Sequence, residues 1–427
     1  MRPTALKLTA GILLICGLSS GLQAQVDRIN VVTTAVPFLR ISPDARSGGM
    51  GDIGVATSPD ASAGFWNIGK VAFNESKGVV VATYTPWLKD LVNDVYLASL
   101  AGYYKFTEDQ ALNLSLRYFS LGNIQFTDGL GNEWGSAKPR EFSIDLGYSR
   151  KLSSKVGIGV ALRYINSNLT GGGVTSGSTT YKVGSSVAGD LGFYYNAKNA
   201  AGDGWSFGAT MTNLGAKVSY TDNADMKDFI PANLGLGTSW TKNFNEQNKL
   251  TFGLDINKLL VPTPPSDLSD PNAIAQYRKK SVVGSWFSSF GDAPDGFSEE
   301  IKEFQLSAGA EYWYNNQFAL RAGYFWEDKT KGNRRYFTTG VGIKYNIFGL
   351  NFSYLLPSGS GVSRNPLSNT LRFSVLFDLD GGGGTANPPT LEHVIVSRPK
   401  SMAHVRRKTN KDEQKLREFG RQQEYEH

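Results

Sequence analysis

Segments of roughly ten residues in which apolar and polar side chains alternate recur along most of this chain. Phe142, Ile144, Leu146 and Tyr148, for example, alternate with serine, aspartate and glycine. In a β-strand this alternation places all the apolar side chains on one face. Fourteen such segments can be counted: 78–85, 94–106, 110–121, 140–152, 156–169, 184–197, 204–214, 231–241, 248–258, 303–314, 317–326, 335–346, 349–356 and 369–379.

Three features favour a membrane barrel over a soluble β-sandwich, which is the alternative that alternation leaves open. The segments are long enough for a tilted strand to cross the hydrocarbon layer. Aromatic pairs such as Tyr103-Tyr104 and Tyr194-Tyr195 lie at segment ends, where aromatic girdles occur. The opposite face is rich in glycine and charge, which suits a polar lumen. Because lipid offers no partner to an open sheet edge, we predict an all-β, closed, 14-stranded antiparallel transmembrane β-barrel.

The connections between these segments alternate in length. Those after even-numbered segments are short, such as 107–109 and 153–155, and most of those after odd-numbered segments are long, such as 122–139 and 259–302. Outer-membrane barrels have short periplasmic turns and longer external loops. The even strand count therefore predicts an outer-membrane protein with both termini in the periplasm.

The start of the chain has the features of a secretory signal. Arg2 and Lys7 flank the start of a short apolar run, and Ala24 ends the segment where a signal peptidase could cut. Cys16 leaves lipidation open as an alternative, although Ile15 stands where a small residue is needed. The predicted organisation is a signal peptide (1–24), an N-terminal segment (25–77), a barrel (78–380) and a flexible periplasmic tail (381–427).

Between that leader and residue 393 the chain has neither histidine nor cysteine. A serine nucleophile needs a base that is neutral near pH 7, and zinc sites are built largely from cysteine and histidine. We therefore predict no enzymatic activity, no catalytic residue, no metal site and no cofactor. A periplasmic tail also makes nucleic acid irrelevant as a partner, although the tail is basic.

Charged side chains recur on the polar face of the predicted strands. They could form a transport path, but a hydrogen-bonded lumen network that holds the N-terminal segment is the favoured interpretation. The residues are Arg117, Asp145, Arg163, Asp190, Asp255, Arg321, Lys344 and Arg372.

The connection 259–302 is the candidate partner-binding region. It carries Trp286, Phe287 and Phe290 close together, and exposed aromatic clusters are frequent anchors of protein interfaces. Packing of these rings on the loop itself or over the barrel mouth is the alternative.

The N-terminal segment carries a block from Pro37 to Asp52, followed by small residues up to Phe65-Trp66-Asn67. This block, together with stretches at 122–128, 148–152, 162–170 and 228–234, resembles the PorV family, outer-membrane components of the type IX secretion system. Ile68 departs from the proline that usually follows Trp-Asn in that family. The family is similar to long-chain fatty-acid transporter barrels, in several of which the N-terminal block plugs the lumen, so the resemblance implies a lumen plug here.

The resemblance implies a secretion role. The barrel would bind the translocon barrel and carry cargo, through the cargo's C-terminal signal domain, to a surface attachment complex that includes a sortase-like protease, while outer-membrane lipid surrounds it. A channel for hydrophobic small molecules is the alternative that the related barrels imply. A lipopolysaccharide deacylase is a weaker alternative, because the barrel lacks a histidine base.

Overall fold

A computed structural model describes residues 29–87, 94–127, 130–171, 175–176, 179–223, 226–265, 267–358 and 370–380. The predicted signal peptide and the tail after residue 380 lie outside these ranges. Within them, fourteen antiparallel strands form one closed barrel, as the sequence predicts. Each predicted segment matches its strand to within two residues at either end: Gly78–Pro86, Val95–Thr107, Gln110–Leu121, Arg140–Lys151, Val156–Asn168, Gly184–Asn196, Gly204–Gly215, Asn233–Asn243, Asn248–Leu259, Gln305–Tyr314, Phe318–Trp326, Arg335–Tyr345, Phe348–Pro357 and Leu371–Asp378.

The barrel closes because its first and last strands pair. Val79 lies opposite Asp378 and Tyr84 lies opposite Phe373 in an antiparallel register. Closure leaves no sheet edge facing lipid, so the strands' backbone groups find partners without water. No helix in the described ranges has the length and apolarity needed to cross a bilayer.

The two faces of each strand differ as alternation predicts. In Arg140–Lys151, Ile144 and Leu146 are 45% and 57% exposed on the outer face, whereas Asp145 is buried on the inner face. The paired aromatics correct one expectation. Tyr104 is exposed but Tyr103 is buried, since neighbouring residues point to opposite faces. Only one ring of each such pair can belong to an outer girdle.

Connections at the two ends of the barrel differ in length and structure. We call the end with residues 122–139, 216–232 and 260–304 the long-loop end, and the opposite end, with 108–109 and 152–155, the short-turn end. The long connections contain short hairpins and helices that the sequence did not predict. These are Ile124–Thr127 with Glu133–Ala137, Thr175–Ser176 with Thr179–Thr180, Val218–Ser219 with Lys227–Asp228, and the helices Pro271–Lys279, Val282–Ser288 and Phe297–Ile301.

Residues 30–77, which we call the inner segment, pack against the inward-facing side of the strands. The segment contains short helical turns at Pro37–Arg40, Ala45–Gly48, Ala63–Trp66 and Ile68–Phe73. The turn Ala45–Gly48 contacts the last three strands, and Ile68–Phe73 contacts strands between Gln110 and Asn196. The segment therefore lies within the barrel, where the sequence resemblance placed a plug.

The inner segment runs from one end of the barrel to the other. The backbone N–H of Asn30 donates to the carbonyl of Thr330 at 3.0 Å, at the long-loop end. The Lys105 ammonium donates to the Asn74 carbonyl at 3.0 Å, at the short-turn end. The inner segment thus begins at the end of the barrel opposite to the one where it joins the first strand, whereas the predicted location of the two chain ends concerns residues outside the described ranges. The even number of strands places residues 78 and 378 at the same end of the barrel. It does not determine where a segment that crosses the lumen begins.

Candidate functional site: the long-loop surface and the lumen

The long-loop surface is built by three helices in the connection 260–304. Asp270 caps the first helix by accepting from the Asn272 N–H at 2.9 Å, and Pro271 occupies the first turn, where its missing N–H costs nothing. Ser281 caps the second helix by accepting from the Gly284 N–H at 3.3 Å. The sequence contains these cap residues, so the helices within this long connection have a local signal.

The three aromatic residues predicted to bind a partner lie on and just after the second helix. Phe287 is 72% exposed and Phe290 is 44% exposed, whereas Trp286 is partly buried. The Lys258 ammonium lies 5.6 Å from the centre of the Phe290 ring, so this ring also packs toward the barrel. The structure thus brings the three residues together but turns them in different directions.

Other exposed apolar side chains extend this surface. Val283, Phe297 and Ile301 are 56%, 78% and 52% exposed. Val283 and Phe287 lie four residues apart on one helix, as do Phe297 and Ile301 on the next, and this spacing places each pair on one helical face. Helical spacing could have revealed them in the sequence. We call Val283, Phe287, Phe290, Phe297 and Ile301 the apolar patch.

Buried ion pairs hold the third helix of the connection to the barrel. Lys258 lies 2.6 Å from Glu300 and 2.7 Å from Glu303. Lys331, from the connection 327–334, lies 2.6 Å from Glu299 and 2.9 Å from Glu303. All five side chains are buried, where removing one partner of an ion pair is costly. This network fixes the third helix on its strands.

The inward-facing charges mainly form a network that holds the inner segment, which was the favoured interpretation of the sequence. The Asp255 carboxylate accepts from the backbone N–H groups of Gly54 and Val55 at 2.7 and 2.9 Å. Arg46 of the inner segment forms two hydrogen bonds to Glu311, at 2.9 and 2.8 Å. Arg321 donates to the same carboxylate at 2.7 Å. Inner segment and barrel therefore share buried charge pairs.

Two parts of the predicted network differ from this arrangement. Arg163 pairs with Asp145 at 2.6 Å and with Asp190 at 2.9 Å, all on neighbouring strands and without the inner segment. Lys344 is exposed, because it lies near the short-turn end of its strand. It therefore does not belong to the buried network.

The described residues offer no metal-binding cluster of three or more histidine, cysteine, aspartate or glutamate side chains. The three histidines and the cysteine of the chain lie outside the described ranges. The geometry above is thus that of a filled barrel with an apolar surface at one end.

Comparison with protein families identifies the chain. The family model described as "Type IX secretion system protein PorV" matches residues 23–266, more than half of the sequence. The chain belongs to the PorV family. This PorV-family barrel has a closed wall with an apolar outer face, which, together with its family, makes it an outer-membrane β-barrel.

The comparison with curated proteins finds no match to this PorV-family chain. Solved structures that are similar to it include the toluene transporter TbuX of Ralstonia pickettii, with 12% identity, a TM-score of 0.49, and coverage of 78% of this chain and 97% of that one. The toluene transporter TodX of Pseudomonas putida has 13% identity, a TM-score of 0.47 and coverage of 82% and 98%. A Pseudomonas aeruginosa FadL homologue has 11% identity, a TM-score of 0.42 and coverage of 82% and 99%.

Proposed function

We propose that this protein is the outer-membrane barrel subunit of a type IX secretion system. In this proposal it binds the translocon barrel and carries cargo, through the cargo's C-terminal signal domain, to a surface attachment complex that includes a sortase-like protease. Membership of the PorV family supports the system. The observation that carries the binding role is the apolar patch at the long-loop end. We place that end outside the cell and the short-turn end in the periplasm, with outer-membrane lipid around the apolar outer face.

The patch has the properties of a binding surface for a protein. Its aromatic and aliphatic side chains are exposed, whereas the third helix, which carries Phe297 and Ile301, is fixed by the buried pairs of Lys258 and Lys331 with Glu299, Glu300 and Glu303. A fixed surface loses less conformational entropy on binding than a mobile loop does. Exposed apolar clusters on soluble parts of a protein commonly mark interaction sites.

The proposal assigns a scaffold and shuttle role and no catalytic residue. A channel for hydrophobic molecules would need an apolar path through the lumen. The inner segment instead fills the lumen, where it meets the strands through buried charges and amide groups, such as Arg46 with Glu311 and Gly54 with Asp255, and through packed apolar side chains. No observation in the described residues favours the channel or the deacylase.

Alanine substitution of the patch tests the binding role. A tagged Trp286→Ala/Phe287→Ala/Phe290→Ala variant and a Val283→Ala/Phe287→Ala/Phe297→Ala variant would each be purified from detergent-solubilised outer membranes. Loss of one anchoring aromatic commonly costs about 2 kcal/mol or more, which is roughly thirtyfold in affinity. We expect both variants to lose the translocon barrel or the cargo from the pull-down, the second more completely because its side chains are more exposed.

The matched control is Ile124→Ala/Leu130→Ala, which removes exposed apolar side chains from another long connection at the same end. Folding of each variant is checked by heat-modifiability on gels, the change in mobility that a folded barrel shows on boiling. If both patch variants fold and still capture their partners as the control does, the patch is not the binding surface. If folded lumen variants such as Asp255→Asn instead block uptake of a hydrophobic solute, the channel takes the place of the scaffold.

A further inference from the structure

A polar cavity of about 120 Å³ lies inside the barrel, between the inner segment and the long-loop half of the strands. Its lining includes Arg40, Arg117 and Arg334, and Asp52 is the only carboxylate among its described lining residues. Amide, hydroxyl and apolar groups complete the wall, among them those of Asn257, Ser307 and Val55. Among the described lining residues, guanidinium groups therefore outnumber carboxylates three to one.

Arg117 is a buried charge without a carboxylate partner. Its side chain is 3% exposed, one guanidinium nitrogen donates to the Leu39 carbonyl at 2.6 Å, and the guanidinium lies 4.7 Å from the centre of the Phe65 ring. In the part of the chain that the structure describes, no carboxylate lies within 4.0 Å of it, and its Nε has no acceptor. Buried charges are ordinarily paired, because an unpaired one loses its hydration without compensation.

Arg40 and Arg334 compete for one carboxylate. Arg334 takes both oxygens of Glu327, each at 2.8 Å. Arg40 lies 3.6 Å from one of those oxygens, and its buried Nη2 has no hydrogen-bond acceptor. Asp52 also lines the cavity; its Oδ2 accepts from the Tyr336 hydroxyl at 2.6 Å, whereas its Oδ1 has no hydrogen-bond donor. Arg40 and Arg334 on this side of the cavity thus share one fully engaged carboxylate, Glu327.

Two hydroxyl groups on the same cavity also lack partners. The Oγ atoms of Ser42 and Ser307 are buried without a hydrogen bond, and both residues line the cavity. Buried polar groups normally have a partner. Arg40, Arg117, Ser42 and Ser307 therefore place unpartnered polar atoms around one cavity, and the two guanidinium groups among them favour a negatively charged acceptor.

We propose that this cavity binds a small oxyanion group, a phosphate or a carboxylate, held mainly by Arg40 and Arg117. The planar guanidinium fork matches the geometry of such groups and gives short, charge-assisted hydrogen bonds. The group could belong to a free anion or to the head of a lipid, since both present the same oxygens. This site is independent of the apolar patch, so the two proposals stand or fall separately.

Isothermal titration of the delipidated, detergent-solubilised full-length protein tests the site. Inorganic phosphate, acetate and a short-chain phosphatidic acid would be titrated at constant ionic strength, with chloride as the reference anion. We expect saturable binding of at least one of them at one site per chain. Arg40→Gln and Arg117→Gln should each weaken it about tenfold or more, since hydrogen bonds to charged groups are worth about 1.5–3 kcal/mol.

Lys155→Gln is the matched control, since it removes one positive charge from an exposed turn at the short-turn end. It should bind as the unaltered protein does. Ser307→Ala keeps the proposal testable if an arginine variant does not fold, because it removes only an unpartnered hydroxyl, and we expect a threefold or larger loss of affinity. Binding of phosphatidic acid but not of phosphate would identify a lipid head group as the source. Absence of saturable binding for all three probes, or equal affinities of Arg40→Gln and Lys155→Gln, would overturn the proposal.

Discussion

At the scale of single residues, Glu327 shows how a buried carboxylate shared by two arginines stabilises the long-loop end. It follows the strand Phe318–Trp326 and is 3% exposed. Burial by itself would raise the pKa of Glu327, but the hydrogen bonds and charge of Arg334, together with the charge of Arg40, outweigh burial and hold this pKa below its usual range. A carboxyl group with a depressed pKa stabilises the folded state above its unfolded pKa and loses that contribution as the pH falls through the folded value.

The first prediction follows from this lowered pKa of Glu327. Glu327→Gln should lower the thermal unfolding midpoint of the detergent-solubilised barrel at pH 7, because two arginines lose their shared carboxylate. As the pH falls below the unfolded-state pKa of about 4.3, the midpoint of the unaltered protein should approach that of Glu327→Gln, since the unfolded chain takes up a proton that the native carboxylate, with its lowered pKa, does not yet bind. Unfolding can be followed by tryptophan fluorescence. A gap between the two midpoints that stays constant from pH 7 to pH 3 would contradict the assignment.

At the scale of elements, the glycines of the barrel strands make room for the inner segment. A Cβ atom at Gly323 would lie 2.1 Å from the backbone nitrogen of Gly51, and one at Gly309 would lie 2.2 Å from the Met50 carbonyl oxygen. Such distances are far inside van der Waals contact. Glycine on the polar face of these strands therefore allows backbone to lie directly against backbone, which explains why that face contains glycine as well as charge.

Gly323→Ala tests this packing. The added methyl group should push Met50 and Gly51 away from the strand, so the inner segment should become more sensitive to protease while the barrel remains folded. We expect a loss of stability of about 1–3 kcal/mol, which is typical of overpacking. Gly189→Ala is the control, because the nearest atom to its new Cβ, the Ala161 carbonyl oxygen, would be 3.6 Å away. Equal protease sensitivity of the two variants would count against close packing at Gly323.

The outer face of the strands leads to a third prediction. Leu114 is 60% exposed on the apolar face, in the middle of Gln110–Leu121. Leu114→Arg should cost on the order of 2–4 kcal/mol in a bilayer, whereas Leu114→Ala should cost much less. Heat-modifiability after refolding into vesicles measures the difference. Similar tolerance of both substitutions would mean that this face does not contact lipid.

The inward neighbour Ser115 lies in a closely packed part of the lumen. It is 2% exposed, and its hydroxyl donates to Asp145 at 3.0 Å. An arginine there would overpack the lumen and leave Asp145 without this bond. We therefore expect Ser115→Arg to be destabilising as well, because the lumen is filled and not open.

At the scale of the whole molecule, the chain crosses the membrane-spanning region in two ways, first through the lumen and then as the strands of the wall. The inner segment passes through the lumen from Asn30 at the long-loop end to Asn74 at the short-turn end, and the strands then wind around it. The first strand can begin only after that passage. Asn30 and the helical connection 260–304 therefore lie at the same end, where the Asn30 amide also donates to Glu299 at 3.0 Å.

Cysteine labelling in intact cells tests both the path and the orientation. Single cysteines at Ile29, Leu130 and Ala275 should react with an impermeant reagent, because these positions lie at the long-loop end, which we place outside. Cysteines at Ser154 and Asn316, in short turns, should stay silent. Labelling of the short turns with silent loops would reverse the orientation. If the cysteine at position 29 were labelled under the conditions that label position 154, and not under those that label position 275, the path through the lumen would be wrong.

The sequence determined the barrel because its evidence is local. Alternation along residues 142–148 sets the faces of one strand, and short stretches such as 153–155 set the tight turns between strands, so strand number and bounds followed within two residues. The PorV resemblance was also carried by short contiguous stretches, and the family match confirms it. The same local evidence identified Phe287 and Phe290 as surface candidates but hid the helices that carry them.

Only the tertiary structure decided the contacts that depend on distant parts of the chain. Arg46 meets Glu311 across 265 positions of sequence, and Asp255 meets Gly54 across 201. Likewise, nothing local shows that Arg117 lacks a carboxylate or that Asn30 lies beside Glu299. An alternating strand specifies which of its side chains point inward. What those side chains meet is set by barrel closure and by the path of the inner segment, both of which are properties of the whole chain.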